Sequence, residues 1–316
     1  MVISIFAGCG GSSLGYKWAG YKELLGIDYD KNVVKVFKLN FPEIPIWQED
    51  IGNVSGEEIL AFCKIKKKEL DILDGSPPCQ GFSTTGKRRI NDFRNDLFKD
   101  YIRLIQAIQP KIFIMENVSG MVKGKMKGRF IEIITEIKKQ NYQVKCKLLN
   151  AMWYEVPQSR ERLFFIGIRK DLNTVPTFPQ PSKNIIIFKE AVKGLKNNAM
   201  PPPLSKCVLK FVFKMKQGQN GSNYIKGKHS QTLRIYEDRV CPTVTVMKAG
   251  IGFDGLIHPY EDRVLSINEL KKVCSFPDDF QLLGNYQEQK ASLGNAVMPK
   301  QMYHIAKHIK ENILNI

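Results

Sequence analysis

Gly75-Ser76-Pro77-Pro78-Cys79-Gln80-Gly81-Phe82-Ser83 is the stretch on which the reading of this chain turns. Asp71-Ile72-Leu73 before it reads as the end of a buried strand. The two prolines fix φ and forbid helix, so the cysteine stands on a stiff turn at a strand's C-terminal end. In open α/β sheets ligands bind along that edge. A thiol there is a nucleophile only as thiolate, and the ordinary thiol pKa of about 8.5 calls for a positive neighbour or a base. A lone cysteine is more often a small buried apolar residue. This one leads into a polar, basic loop, which is no core environment, and Cys79 is therefore a candidate nucleophile.

Outward from that turn, roughly the first 170 residues alternate short apolar runs with amphipathic stretches, the βα pattern of a mostly parallel sheet. Strands are expected over 2–6, 23–27, 44–47, 70–73, 111–115, 144–149 and 162–168, with helices near 13–19, 33–39, 96–108 and 130–138. Residues 96–108 place Leu97, Tyr101, Leu104, Ile105 and Ile108 on one helical face. The predicted class is α/β: a doubly wound, mostly parallel, Rossmann-like sheet with a second, smaller, irregular domain. Past residue 178 the texture changes. Pro179, Pro181, Pro201, Pro202 and Pro203 interrupt the chain, and no βα period survives. Residues 217–223 read as loop and 240–247 alternate like an antiparallel strand. The expected division is 1–178 with 263–316 for the sheet domain, and 179–262 for the smaller module. Ser266 with Glu269 forms a capping box, and a last helix covers 299–313.

The chain has 316 residues, 43% of them apolar, and no run of 18 apolar residues, so no membrane span is expected. Met1-Val2-Ile3-Ser4-Ile5-Phe6 enters a strand without a basic flank, which reads as no secretory signal and a cytoplasmic, nucleoid-associated location. Seven cysteines without a Cys-x-x-Cys pair suggest neither zinc nor a disulfide framework. His304 and His308 lie four apart on the last helix but lack a third ligand, so no metal is expected. The net charge of +17 points to a polyanionic partner, most simply nucleic acid. The charge is uneven. Residues 191–236 hold no Asp or Glu, but carry Lys193, Lys196, Lys206, Lys210, Lys214, Lys216, Lys226, Lys228 and Arg234. Phosphate binding needs such a surface.

Phe6-Ala7-Gly8-Cys9-Gly10-Gly11-Ser12-Ser13-Leu14-Gly15 joins the first strand to a helix, where glycines permit a tight turn and close approach of a ligand. Its spacing is not that of a dinucleotide fingerprint, which disfavours NAD, and no P-loop is present. Asp28 ends the second strand, where an acid can bind a ribose diol; Tyr29 can stack on an adenine, and Asp50-Ile51 can frame the same base. Each acid taken singly is as readily a helix cap. Three successive strand ends favour a nucleoside pocket. Glu116-Asn117-Val118 ends the fifth strand, beside the fourth in the usual doubly wound order. Gln158-Ser159-Arg160-Glu161-Arg162 opens another strand with both arginines on one face.

These motifs, in this order, resemble the DNA (cytosine-5) methyltransferases of bacterial restriction-modification systems over nearly the whole chain. The later motifs Arg263…Glu269…Phe276-Pro277-Asp278 and Gly294-Asn295-Ala296-Val297 extend the resemblance. It departs at Cys9, where the family more often has Ala or Leu, and at Lys271-Lys272-Val273-Cys274-Ser275, where Ala-Arg-(apolar)-x-Gly is usual. The resemblance implies S-adenosylmethionine as methyl donor, with S-adenosylhomocysteine as product. Phe6, Gly8, Gly10, Gly11, Leu14, Asp28, Tyr29, Asp50, Ile51, Pro78, Asn295, Ala296 and Val297 would bind it. It implies Cys79, Glu116, Arg160 and Arg162 as catalytic residues acting on an extruded cytosine. Ser83, Lys87, Arg88, Arg89 and Arg94 would contact DNA from a loop over the site. His229, Gln231, Arg234 and Arg239 are candidates to read it from a target-recognition domain. Double-stranded DNA is the expected partner of a monomer, with a restriction endonuclease acting on the same site as a possible second. The nearest alternative is a tRNA cytosine-5 methyltransferase of the same family; another is a nucleic-acid-binding homologue that has lost catalysis.

Overall fold

The computed structural model describes residues 1–78, 97–122, 127–195, 200–226, 229–246 and 255–315. Chain contacts divide it into two compact units. One is Met1–Asn150 with Glu161–Pro181 and Gln301–Ile316; the other is Ala151–Arg160 with Ser182–Lys300.

The apolar runs of the first unit become β1 (Val2–Ile5), β2 (Glu23–Asp28), β3 (Ile46–Gln48), β4 (Ile72–Gly75), β5 (Ile112–Val118) and β6 (Tyr142–Asn150). A two-residue strand of the second unit, β7 (Gln158–Ser159), precedes β8 (Glu161–Arg169). Among the described residues the first unit forms a seven-stranded sheet in the order β3-β2-β1-β4-β5-β8-β6. β1 to β5 pair in parallel and β8 runs antiparallel to both neighbours, so the expected doubly wound, mostly parallel sheet is present. Helices α1 (Gly11–Trp18), α2 (Lys31–Asn40), α3 (Gly56–Cys63), α4 (Leu97–Ile108) and α5 (Lys127–Lys138) supply the crossovers. Ile72, Leu73 and Ile112 to Met115 are fully buried, because a parallel strand covered on both faces reads as a continuous apolar run. The sequence reading placed no helix at α3. Its signature was there: Ser55 and Glu58 form a capping box.

The centre of the sheet is held where β4 and β5 approach their C-terminal ends. Tyr101 of α4 donates its hydroxyl to the Leu73 carbonyl at 2.9 Å and the Ile114 carbonyl at 2.8 Å. Its ring leaves no room for a side chain at residue 75, since a Cβ on Gly75 would lie 2.8 Å from Tyr101 Cε2. Gly75 therefore opens the Gly75-Ser76-Pro77 turn for a packing reason. β5 runs three residues past its expected end at 115, because antiparallel β8 pairs it through Glu116, Asn117 and Val118.

The second unit holds α6 (Phe188–Ala191), α7 (Lys206–Leu209), β9 (Leu233–Arg234), β10 (Cys241–Pro242), β11 (Leu256–Ile257), α8 (Ile267–Val273) and α9 (Tyr286–Asn295). Leu204, Val208, Phe211, Val212, Met215, Ile257 and Val264 form a buried cluster within it. Residues 263–300, expected with the sheet, lie in this unit. Arg263 bonds Glu269 through both terminal nitrogens at 2.8 Å, and the Ser266–Glu269 capping box starts α8 as expected. The lysine that departs from the family pattern is accommodated: Lys271 Nζ donates to the Asp278 and Phe280 carbonyls at 2.6 and 3.0 Å. Among the described residues 240–246 the expected antiparallel strand is not formed. Only Cys241–Pro242 is extended into a ladder, and it pairs in parallel with β7. Pro242 has no N–H to give, and the Val244 N–H is taken by Gln158 Oε1 at 3.1 Å. The last helix, α10 (Pro299–Ile309), ends in one wider turn over Lys310–Leu314. No described helix is long and apolar enough to cross a membrane.

Candidate active site

In the first unit the sequence-predicted residues collect at the C-terminal ends of the parallel strands. After β1 the backbone turns through Phe6, Gly8 and Gly10, all at positive φ (57°, 57° and 94°). Gly10 is doubly required: a Cβ there would also lie 2.3 Å from the Phe41 ring. A Cβ on Gly8 would meet nothing within 4 Å, which leaves open space beside the turn. The Gly8 N–H donates to Asp28 Oδ2 at 2.8 Å, and the Asp30 N–H to Asp28 Oδ1 at 2.9 Å. Burial pushes the Asp28 carboxyl above the usual range, and those backbone donors oppose the shift. Asp28 is thus fixed at the end of β2, with Tyr29 beside it 69% exposed. Asp50 caps a short turn of helix by accepting from the Gly52 N–H at 2.9 Å. Arg103 holds that turn by donating to the Ile51 and Val54 carbonyls at 2.7 and 2.8 Å. Leu14 and Ile51 are buried.

At the ends of β4 and β5 lies the acid expected to face the base. Glu116 is 9% exposed and its Oε1 stands 3.0 Å from Arg162 Nε of β8. Arg162 also donates through Nη1 to the Glu161 carbonyl at 2.8 Å. Asn117 reaches across to the β4 turn, its Nδ2 donating to the Pro77 carbonyl at 3.2 Å while its Oδ1 accepts the Val118 N–H at 2.8 Å. Pro77 is buried and Pro78 half-buried. Cys79 follows directly and lies outside the described residues, as do Ser83, Lys87, Arg88, Arg89 and Arg94. Four described thiols are unsuited to attack: burial pushes Cys63 and Cys274 up to about 11 and raises Cys146 and Cys241.

Arg160 and Arg162 were expected on one face, and in the structure their side chains have different partners. The strand is interrupted at Arg160 between β7 and β8, and Arg160, 3% exposed in the second unit, donates Nη2 to the Ala296 carbonyl at 3.2 Å. That bond supports the Asn295-Ala296-Val297 turn. Gln158 beside it is fully buried. Its Nε2 faces the Val273 carbonyl, Cys274 Sγ and Met298 Sδ, so it ties α8 to the end of α9 and to 241–244. Asn295, Ala296 and Val297 lie in this second unit.

Two of the expected DNA-reading residues are buried in the second unit. Arg234 is 4% exposed, with its guanidinium on the His258, Glu261 and Val212 carbonyls and on Asp262. His229 is 5% exposed with Nε2 3.3 Å from Cys207 Sγ. Both are held by partners within this unit. Arg239 is exposed and lies over the Tyr236 ring at 3.9 Å. Gln231 lines a cavity of about 200 Å³ with Ser230, Thr243, Thr245, Tyr286 and Lys290. The described lysines of the acid-free stretch (193, 206, 210, 214, 216 and 226) are all exposed. Sequence reasoning missed Asn117 as a clamp, Arg103 as the support of the Asp50 turn, and Asp74, a buried acid on β4 whose carboxyl burial pushes up to about 7. Only Asp74 left a signal: an acid inside an apolar strand.

A family model for C-5 cytosine-specific DNA methylases matches residues 1–311. Type II methyltransferase M1.HphI of Haemophilus parahaemolyticus is 33% identical over 329 residues, covering 97% of this chain and 86% of the relative. Type II methyltransferase M.FnuDI of Fusobacterium nucleatum is 32% identical over 345 residues, covering 99% and 94%. Among solved structures, an E. coli prophage-encoded protein assigned as a DNA modification methyltransferase superposes with a TM-score of 0.82 at 25% identity, covering 100% of this chain and 99% of that one. The S. pombe Dnmt2 methyltransferase shares the fold at a TM-score of 0.71 and 15% identity, covering 100% and 99%. With the motifs in order, the sheet in place and the family model matched along nearly the whole length, the chain belongs to the C-5 cytosine-specific DNA methylase family.

Proposed function

We propose that this DNA cytosine-5 methyltransferase is sequence-specific, takes its methyl group from S-adenosylmethionine, and acts through a covalent bond between Cys79 and carbon 6 of an extruded cytosine. The observation that carries the reading is the joint at the ends of β4 and β5: Glu116 paired to Arg162, and Asn117 bonded to the Pro77 carbonyl two residues before Cys79. A single rigid corner of the sheet thus holds the acid and the approach to the thiol.

Members of this family use S-adenosylmethionine, and the first unit fits it. The glycine turn leaves open space at Gly8, Asp28 is fixed by backbone donors, and Tyr29 is exposed beside it. Asp28 would take the ribose, Tyr29 and Asp50 the adenine. When bound, the donor supplies an electrophilic methyl on a sulfonium. Carbon 5 of cytosine is too weak a nucleophile to take it unaided, and covalent catalysis divides the problem. The Cys79 thiolate adds to carbon 6, and the electron pair of the 5,6 double bond moves towards carbon 5. Glu116 holds the N3 edge and the amine, stabilising the electron-rich adduct. Arg162 orients Glu116 and offers further N–H donors to the base carbonyl. After methylation, loss of the carbon 5 proton and departure of the thiolate restore the double bond. The target atom is unreachable in a duplex, so the base leaves the stack at a cost of a few kcal/mol.

The second unit is read as the target-recognition module, with its exposed lysines on phosphates and Gln231 and Arg239 offered to bases. The Type II names of the relatives support a restriction-modification role, with an endonuclease of the same specificity as partner. Methyl-transfer assays on duplex DNA and on tRNA test the reading, with Cys79→Ser as control. Label on DNA that vanishes in Cys79→Ser is expected; label confined to tRNA overturns it.

A further inference from the structure

Beneath α1 the sheet is polar. Ser4 of β1, Glu23 of β2 and Asp74 of β4 face Ser12, Ser13 and Tyr16 of α1, and all six are buried. Ser13 Oγ donates to Glu23 Oε1 at 3.0 Å, and Ser12 bonds the Asp74 carboxyl. Among the described residues no cation pairs with either acid. Apolar side chains would fill such a slot at no electrostatic cost, so its polarity needs a reason. Ser12 follows the Gly10-Gly11 turn directly, and Asp74 precedes the Gly75-Ser76-Pro77-Pro78-Cys79 turn directly. Asp74 also feels the charge of Glu116.

We propose that Asp74 is a positioning residue for methyl transfer, coupling the glycine turn that opens α1 to the Gly75-Ser76-Pro77 turn at the end of β4. The coupling needs the neutral acid. Burial pushes Asp74 up to about 7 and Glu23 up to about 8, and Glu116 raises Asp74 further. The other groups facing Asp74 are the phenols of Tyr16 and Tyr101, which burial keeps un-ionised. Ionised Asp74 would set a buried negative charge under the first turn of α1 and near Glu116, which the Ser12, Tyr16 and Gly75 donors offset only in part. The glycine turn would then loosen as pH rises.

This inference rests on the proposed use of S-adenosylmethionine, and its test separates the two. Binding of S-adenosylhomocysteine to the full chain is measured by calorimetry from pH 6 to pH 9. Wild-type affinity is expected to fall about tenfold across the range, Asp74→Asn to remove most of that fall, and Asp74→Ala to bind weakly throughout. A wild-type curve that matches Asp74→Asn overturns the inference and leaves the proposed function standing; no wild-type binding at any pH overturns the proposed function. A carboxyl-carbon NMR titration covers the case of variants that do not fold. Asp74 in the wild-type chain is expected to titrate near 7 and to move lower in Glu116→Gln. A midpoint in the ordinary carboxylate range overturns the inference.

Discussion

Glu116 Oε1 and Arg162 Nε stand 3.0 Å apart, joining the C-terminal end of β5 to the N-terminal end of β8, with both side chains largely buried. Such a pair is shielded from salt, and removal of one partner strands the other's charge at a cost of about 3–5 kcal/mol. Arg162→Ala is therefore expected to lower the melting temperature and to reduce single-turnover methylation by at least about a hundredfold. Arg162→Lys keeps the charge but loses the planar fork, and is expected to fall between. Thermal melts and rapid-quench assays check both.

Asn117 offers a cleaner separation of positioning from stability. Its amide holds the Pro77 carbonyl two residues before Cys79. Asn117→Ala removes that tie and leaves a buried carbonyl without its donor, a cost of about 1–3 kcal/mol. The expected result is a fall in kcat with the cofactor KM nearly unchanged, read from initial rates at saturating DNA.

Gly8 and Gly10 differ in a measurable way. Both have positive φ, but only Gly10 would drive a Cβ into Phe41. Gly8→Ala is expected to cost about 1 kcal/mol of backbone strain, and Gly10→Ala more. Equilibrium denaturation ranks them. Gly8→Ala should still weaken S-adenosylhomocysteine, because its methyl enters the open space beside the turn.

The buried acids also write a signature into stability. Unfolded Glu titrates near 4.3, whereas burial pushes folded Glu23 up to about 8. The raised value means that the stability gained by binding the proton in the fold is fully present below the unfolded pKa. It is lost as pH rises through the folded one. The slope is at most about 1.4 kcal/mol per pH unit between those values. Glu23→Gln is expected to flatten the decline between pH 5 and pH 8, as followed by urea denaturation.

The division between what the sequence disclosed and what it did not follows the physics of each residue. Apolar runs such as Ile72-Leu73 and Ile112-Phe113-Ile114 announce themselves because strands buried on both faces have no alternative composition. The positions of Asp28 and Glu116 were legible because each acid closes an apolar run that reads as a strand. Arg160 lies where the strand is interrupted between β7 and β8, so strand alternation alone does not give its direction. Arg234 and His229 looked like surface groups because nothing local in sequence says that Asp262 and three carbonyls, or Cys207, will enclose them. Burial of a charge is a property of its tertiary neighbours.

The claim beneath all of this is a bond between the Cys79 sulfur and carbon 6 of the target base. Replacing the carbon 5 hydrogen with fluorine in a substrate duplex blocks the final elimination, since fluorine cannot leave as a cation. Incubated with S-adenosylmethionine and such a duplex, the wild-type chain should yield a denaturation-resistant complex whose mass equals protein plus methylated oligonucleotide, with fragmentation locating the link at Cys79. An enzyme that methylates ordinary DNA but gives no crosslink at that residue would contradict the account.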